Sequence, residues 1–220
     1  MGSKEADLDH LKSEVVDGAR SIFEKGLVET GEGNLSVRIP GKDEMLITPT
    51  YNYYGSMTVD DVVHLAFDGS RLSQGRRPSS EYRLHAAVYR HRPRASCVVH
   101  THSPYATMLA VARKEIPIML EEMVIFLGGP VRVSEFGPAH TDDIGDRALR
   151  ALGSNNAALL ANHGVLACGR TKEHAVKAAE LVEKMARIYW GAYQIGRPMT
   201  IAQQACSRFR EDFETNFGTE

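Results

Sequence analysis

His100 and His102, in the run Val98-Val99-His100-Thr101-His102, are the residues whose types and spacing point most directly to chemistry. Successive side chains on a strand alternate faces, so residues two apart point the same way and two imidazoles converge. A third histidine, His163, stands in Ala161-Asn162-His163-Gly164, behind the apolar run Ala157-Ala158-Leu159-Leu160. Three neutral imidazoles can close a facial set on one zinc ion and leave a fourth position open, which is the arrangement of a catalytic site. The same pair is compatible with two core or surface histidines that bind nothing.

The remaining histidines compete poorly. His10, His91 and His174 lie in strongly polar surroundings, while His64 on a strand and His140 in a loop have no partner at ligand spacing. His85 lies one helical turn after Glu81 and on the same face. Glu81 itself has two readings. It is a first-turn carboxylate favoured by the positive end of a helix, or a labile oxygen ligand and base placed ahead of the histidine strand.

The elements that must position these residues follow from periodicity. Leu8, Leu11, Val15, Val16, Ala19, Ile22 and Phe23 recur at helical spacing and predict a helix that stops near Gly26. The glycine-dense loop Thr30-Gly31-Glu32-Gly33-Asn34 reads as a turn into the strand Leu35–Ile39, with a second strand at Met45–Ile47. Thr58 is placed to cap a single helical turn through Asp60 and Asp61, before a strand from Val62 to Phe67. A helix from about Ser80 to Arg90 precedes the histidine strand, Ser96–Thr101, and Ser103-Pro104 opens another running to about Arg113.

Further on, Ile116 to Leu127 is ambiguous, because Glu121 and Glu122 interrupt its apolar residues. Val131–Val133 reads as a short strand and Thr141–Leu152 as a helix. A strand pair, Ala157–Leu160 and Val165–Cys168, bends at His163-Gly164, and Thr171–Gly196 is a long amphipathic helix. The tail residues Phe209, Phe213 and Phe217 have the spacing of an amphipathic helix suited to packing on a neighbour. Short strands alternating with ordinary helices imply a layered α/β domain, and the early hairpin spacing favours a mixed or antiparallel central sheet.

Composition bounds the function classes. At 220 residues, with 43% hydrophobic and 25% charged residues, the chain suits one domain, 1–220, with one sizeable core. Its 26 basic and 28 acidic side chains nearly balance, so no global field recommends nucleic acid or an anionic membrane as partner. Cys97, Cys168 and Cys206 are odd in number and far apart, which disfavours disulfides and thiolate zinc sites and fits a reducing, cytoplasmic setting. Nowhere do 18 apolar residues run together, and the expectation is a soluble protein.

Five motifs then carry a resemblance. Gly33-Asn34-Leu35-Ser36-Val37-Arg38, Ile47-Thr48-Pro49-Thr50, Pro78-Ser79-Ser80-Glu81, His100-Thr101-His102 and Asn162-His163-Gly164, in this order and at these separations, resemble the class II aldolase/adducin family over about Leu11 to Tyr193. The resemblance is nearest to the branches acting on fuculose phosphate and on methylthioribulose or deoxyribulose phosphate. It implies a class II aldolase-like fold with a central, mostly antiparallel sheet flanked by helices. It also implies a homotetramer with active sites at subunit interfaces.

By the same resemblance, His100, His102 and His163 bind Zn2+, or another divalent metal such as Mn2+ or Co2+, with Glu81 as fourth ligand at rest. The implied substrate is a small molecule, a sugar phosphate, whose anion is held by Gly33, Asn34, Thr50, Ser79 and Ser80. The implied reaction is reversible cleavage of a ketose 1-phosphate to dihydroxyacetone phosphate and a short aldehyde through a metal-stabilised enediolate, with Glu81 shuttling the carbon-bound proton. Two departures qualify this. Tyr51 stands where the aldolases usually carry glycine, beside Tyr53 and Tyr54, and narrows the case for a phosphorylated substrate. The tyrosine acid of the fuculose phosphate branch has no counterpart before Gly128-Gly129. The pair Glu122-Met123 is instead similar to the methylthioribulose phosphate branch and nominates Glu122 of a neighbour as the acid, with Glu121 as alternate. The alternative reaction on the same site is decarboxylation or dehydration of a small hydroxy acid. A non-enzymatic assembly module like the adducin head is disfavoured because all four ligand positions are kept. Arg76 and Arg77 read as solvated loop residues rather than substrate attractors.

Overall fold

The computed structural model describes every residue except Met1, Asn52 and His140, and every side chain except those three, residues 2–6 and Gln203. The reading of His140 therefore lies outside the described residues. The first amphipathic run forms α1 (Gly2–Glu24), and Val15, Ala19 and Ile22 are wholly buried along its apolar stripe. Gly26, in the left-handed region at φ 66°, ends it.

Six strands follow: β1 (Asn34–Arg38), β2 (Glu44–Ile47), β3 (Val63–Ala66), β4 (Cys97–Thr101), β5 (Ala157–Leu160) and β6 (Gly164–Gly169). They form one sheet in the order β3-β2-β1-β4-β6-β5, and every neighbouring pair is antiparallel. The expected central, mostly antiparallel sheet is thus the observed one. β4 lies in its interior, so both ladders of the histidine strand are satisfied, against β1 and β6.

Alternation along β4 sorts its side chains between two apolar layers. Cys97 and Val99 join the core under α1, α3 (Pro104–Val111) and α5 (Lys172–Ile195). Val98 joins the opposite core, shared with α2 (Tyr82–His91) and α4 (Asp142–Leu152). His100 is in phase with Val98 and so faces α2. This single parity decides where the histidines meet Glu81, the residue that immediately precedes α2.

Helix ends are anchored by specific groups. α3 begins two residues after His102, and its free N–H groups at Tyr105 and Ala106 donate to the Glu183 carboxylate of α5 at 3.0 and 2.9 Å. Thr58 does open a single turn, a tight one at Val59–Asp61, where the Asp61 carboxylate accepts from the Thr58 amide (3.0 Å) and hydroxyl (3.1 Å).

Three expectations need correction or resolution. Val131–Val133 forms no strand; it makes only single bridges, Val131 to Ile116 and Val133 to Leu159. Gly128 and Gly129, both at positive φ, and Pro130 break the approach on one side, so no ladder propagates. The ambiguous stretch resolves into a wide π-type turn, Met123–Leu127, closed by Gly128. The aromatic tail forms the expected helix, α6 (Ser207–Asn216), part of whose apolar face is packed within the chain. Phe213 is buried, and Phe217 stacks edge-on to Phe126 at 5.0 Å. Arg210 fastens this helix to Gly128, Ser154 and Asn155, and Arg170 grips the backbone of Glu214, Thr215 and Gly218.

Candidate metal centre

Each candidate ligand reaches the site from a different element. His100 ends the alternation of β4 and is wholly buried. His102 lies just past that strand. His163 sits in the three-residue turn between β5 and β6, where Leu160 pairs with Gly164 and Asn162 takes the left-handed conformation at φ 55° that Asn tolerates. Gly164 is required there, since a Cβ would stand 2.2 Å from the Thr101 carbonyl oxygen.

Glu81 occupies the N-cap position of α2, yet its side chain caps nothing. The ordinary helix-start explanation of this glutamate therefore does not describe where its carboxylate goes. Oε1 lies 3.0 Å from His163 Nε2, and Oε2 lies 3.3 Å from His100 Nε2.

The three imidazoles form a near-equilateral triangle, with centroids 4.6, 4.8 and 5.0 Å apart. One donor atom from each of Glu81, His100, His102 and His163 lies within 4.8 Å of all the others. Around a first-row ion with bonds near 2 Å, tetrahedral donors sit about 3.3 Å apart. Three of the pairs, 2.9 Å between His100 Nε2 and His102 Nε2, 3.0 Å from Glu81 to His163 and 3.3 Å from Glu81 to His100, fit that spacing. Imidazoles and one carboxylate are the donor chemistry of zinc and its neighbours. The tautomer of His100 is also set. Its Nδ1 lies 2.8 Å from the Val165 carbonyl oxygen, which can only accept, so the Nε2 lone pair faces the cluster.

Burial and charge act against each other here. Burial pushes the Glu81 carboxyl up, but His100, the hydrogen bond and charge of His163, and the bond from Asn34 together hold it well below the ordinary carboxylate range. Burial brings the His100 imidazole down to about 4, against the pull of Glu81, so it is neutral and able to ligate at working pH.

A cavity of about 250 Å³ opens over this cluster. Gly33, Asn34, Thr50, Ser79 and Ser80, the residues implied to hold an anion, all line it together with Tyr51, Tyr54, Glu81, His102 and His163. Two backbone bonds bring the separate segments together: Ser79 N–H to the Thr48 carbonyl and Thr50 N–H to the Arg77 carbonyl, each 3.0 Å. At Gly33, too, a side chain would not fit. Its φ is 64°, and a Cβ would stand 2.3 Å from Val28 Cγ1 and 2.9 Å from the His100 carbonyl oxygen. Tyr54, with its phenol raised by burial to about 12, donates to the Gly33 carbonyl at 2.7 Å and stiffens the same turn.

Glu122 is not brought to this cavity by its own chain. It leads the Met123–Leu127 turn, with its carboxylate 2.6 Å from Lys184 Nζ, and Glu121 precedes it on the same surface. No Lys or Arg is among the described residues lining the cavity.

Some contacts were not legible in advance. His85, noted only for sharing a face with Glu81, does not join the cluster. Its Nε2 lies 2.5 Å from Asn34 Oδ1 and its Nδ1 lies 2.7 Å from Ser36 Oγ. Glu32, read only as part of a glycine turn, lies 3.2 Å from His102 Nδ1. The sole prior signal for it was an acidic residue between two glycines.

Comparison with known proteins agrees with this geometry. A family model for the class II aldolase and adducin N-terminal domain matches residues 13–190. The 5-methylthioribulose-1-phosphate/5-deoxyribulose-1-phosphate aldolase of Rhodospirillum rubrum is 35% identical over 205 residues, 93% of this chain and 91% of the relative. The 3-oxo-tetronate 4-phosphate decarboxylase of Escherichia coli K12 is 33% identical over 183 residues, 81% and 85% of the two chains. A solved L-fuculose 1-phosphate aldolase superposes with a TM-score of 0.88 at 31% identity, over 93% of this chain and 96% of that one. A domain match over most of the chain, carried by a fold and a ligand cluster of the same kind, places this protein in the class II aldolase/adducin family.

Proposed function

We propose that this protein is a metal-dependent aldehyde-lyase that reversibly cleaves a ketose 1-phosphate to dihydroxyacetone phosphate and a short aldehyde. The observation that carries the reading is the double tether of Glu81: one carboxylate bridges His100 and His163 while Asn34 Nδ2 donates to it at 2.8 Å, at the floor of the cavity. A divalent ion held by His100, His102, His163 and resting Glu81 would supply the positive charge that polarises the substrate's oxygens and stabilises the electron pair left by carbon–carbon cleavage.

The rest of the work falls to side chains. Glu81, while tethered, is a poor base, because its neighbours favour the anion. Displaced by substrate oxygens, it regains basicity beside the reacting carbon and takes up a proton from solvent, which in the cleavage direction it delivers to the carbon left behind, while the proton removed from the departing carbon's hydroxyl goes back to solvent. The hydroxyl on the departing carbon must lose its proton as the aldehyde forms. Glu122 of a neighbouring copy takes it, in an assembly of four chains. Gly33, Asn34, Thr50, Ser79 and Ser80 receive the phosphate through backbone N–H, amide and hydroxyl donors, a neutral cradle rather than a cationic one.

A second reading has its own support. The decarboxylase relative and Tyr51 at the rim of the cavity both suit an acid substrate that loses carbon dioxide through the same cluster. The two separate in one experiment: release of dihydroxyacetone phosphate by the zinc-loaded protein from a panel of ketose 1-phosphates, read by a coupled assay, with Glu81→Gln as control. Cleavage that disappears in the variant while zinc is retained is the expected result. No cleavage by a zinc-loaded parent, with carbon dioxide released from a hydroxy or oxo acid, moves the assignment to decarboxylation. Mixing Glu81→Gln with Glu122→Gln chains is expected to restore part of the activity, since some sites then hold both intact groups. Failure of the mixture to recover would remove Glu122 from the mechanism.

A further inference from the structure

His102 has the least scaffold of the candidate ligands. His100 is locked within β4 by the Val165 carbonyl, and His163 is set by the β5–β6 turn. The His102 ring, by contrast, extends beyond the end of its strand and is partly exposed. What holds it is Glu32. The carboxylate Oε2 lies 3.2 Å from His102 Nδ1, while Oε1 accepts the Glu29 N–H at 3.0 Å. A carboxylate can only accept, so Nδ1 carries the proton and Nε2, 2.9 Å from His100 Nε2, presents its lone pair to the cluster.

We propose that Glu32 is a positioning residue of the metal centre: anchored to the backbone at Glu29, it fixes both the tautomer and the ring orientation of His102 and so sets the affinity for the divalent ion. The proposal rests on the metal reading of the cluster but not on the reaction assigned to it. The anchoring makes the arrangement more than a chance ion pair. The Glu29 N–H restrains one oxygen, and the other meets His102 at Nδ1, the ring nitrogen that does not face His100, from the wall of the cavity. Outer groups of this kind, bonded to the second nitrogen of a ligating histidine, change metal affinity by about 10- to 100-fold when removed.

The test is zinc affinity by competition with a chromophoric chelator, for the parent, Glu32→Ala and Glu32→Gln, with circular dichroism to verify folding. Gln is the informative variant. Its carbonyl oxygen can keep the Glu29 N–H bond, but its NH2 then faces His102 Nδ1 and favours the wrong tautomer. The expected result is a loss of about 10- to 100-fold in zinc affinity in both variants, with Gln no better than Ala. A Gln variant that binds zinc within about twofold of the parent would overturn the proposal, because loop closure alone would then explain Glu32. A second measurement needs no variant: nitrogen NMR of the zinc-loaded parent, labelled at the imidazole nitrogens, is expected to show a protonated Nδ1 on His102. A proton on Nε2 overturns the assignment. A parent that binds zinc yet cleaves no ketose phosphate overturns the aldolase reading and leaves this one intact; a parent that takes up no zinc overturns both.

Discussion

Asn34 Nδ2 donates to Glu81 Oε2 at 2.8 Å, and Asn34 is directly opposite His100 across the β1–β4 ladder. Strand register therefore places one amide beside both the buried imidazole and the Glu81 carboxylate. The amide cannot rotate freely, because its oxygen is held by His85 Nε2, whose Nδ1 is in turn held by Ser36 Oγ. A hydrogen bond to a charged group is worth about 1.5 to 3 kcal/mol. Because the amide orients the carboxylate as well as holding its charge, Asn34→Ala is expected to lower kcat by about tenfold through a misplaced base, with zinc content unchanged because the three histidines remain. Metal content by atomic absorption beside kcat and KM checks this; an unchanged kcat would mean that the Asn34 bond does nothing for the proton shuttle.

The buried His85 makes stability pH-dependent. Burial, and then the charge of His100, bring its imidazole down to about 3, against the usual 6.5 in an unfolded chain. From pH 6.5 downward the unfolded state binds more protons than the folded one, so the contribution is complete above about 6.5 and is lost as pH falls toward 3. Each such group gives a slope of up to about 1.4 kcal/mol per pH unit. His100, down to about 4, acts in the same sense in the metal-free chain. Urea unfolding of the metal-free protein between pH 6.5 and 5, above the range where the Glu81 carboxyl matters, is expected to show both. His85→Gln should flatten the slope by about one proton, up to 1.4 kcal/mol per pH unit, and an unaltered slope would mean His85 is protonated in the folded protein.

Much of this centre was legible before the fold was known, and the reason lies in parity. His100 and His102 share a face by strand period alone, and the antiparallel sheet follows from hairpin spacing early in the chain. The position of Glu81 was legible too; from the residues alone its role stayed open, since a glutamate at a helix start has its own explanation, and the direction of its carboxylate, away from the cap, supports the ligand role that the resemblance implied. Glu32 was invisible because its partner is 70 residues away and nothing in Gly31-Glu32-Gly33 encodes which way the turn faces. Val131–Val133 misled for a related reason: β-prone residues form a strand only where a ladder is offered, and here a Gly-Gly-Pro approach leaves single bridges.

Tyr51 gives the sharpest test of substrate class. It adopts φ 51°, the left-handed region that costs a side-chain-bearing residue about 1 to 2 kcal/mol, so this chain keeps a backbone geometry natural to glycine while carrying an aromatic ring. The ring is 85% exposed at the rim of the cavity. Replacing it with glycine removes the strain but adds about 0.4 to 1 kcal/mol of unfolded-state entropy, so the two nearly offset and Tyr51→Gly should change stability by no more than about 1 kcal/mol. Its backbone contact, the Tyr51 carbonyl accepting from Arg76 at 3.5 Å, survives the change. Any kinetic effect then belongs to the ring itself. With a phosphorylated ketose the expected outcome is a lower KM and an unchanged kcat, because a bare backbone lets the phosphate approach Thr50 and Ser79 more closely and the ring lies at the exposed rim of the cavity. A KM that rises, with faster loss of carbon dioxide from an unphosphorylated acid in the parent than in the variant, would instead make Tyr51 a contact for that acid and favour the decarboxylase reading.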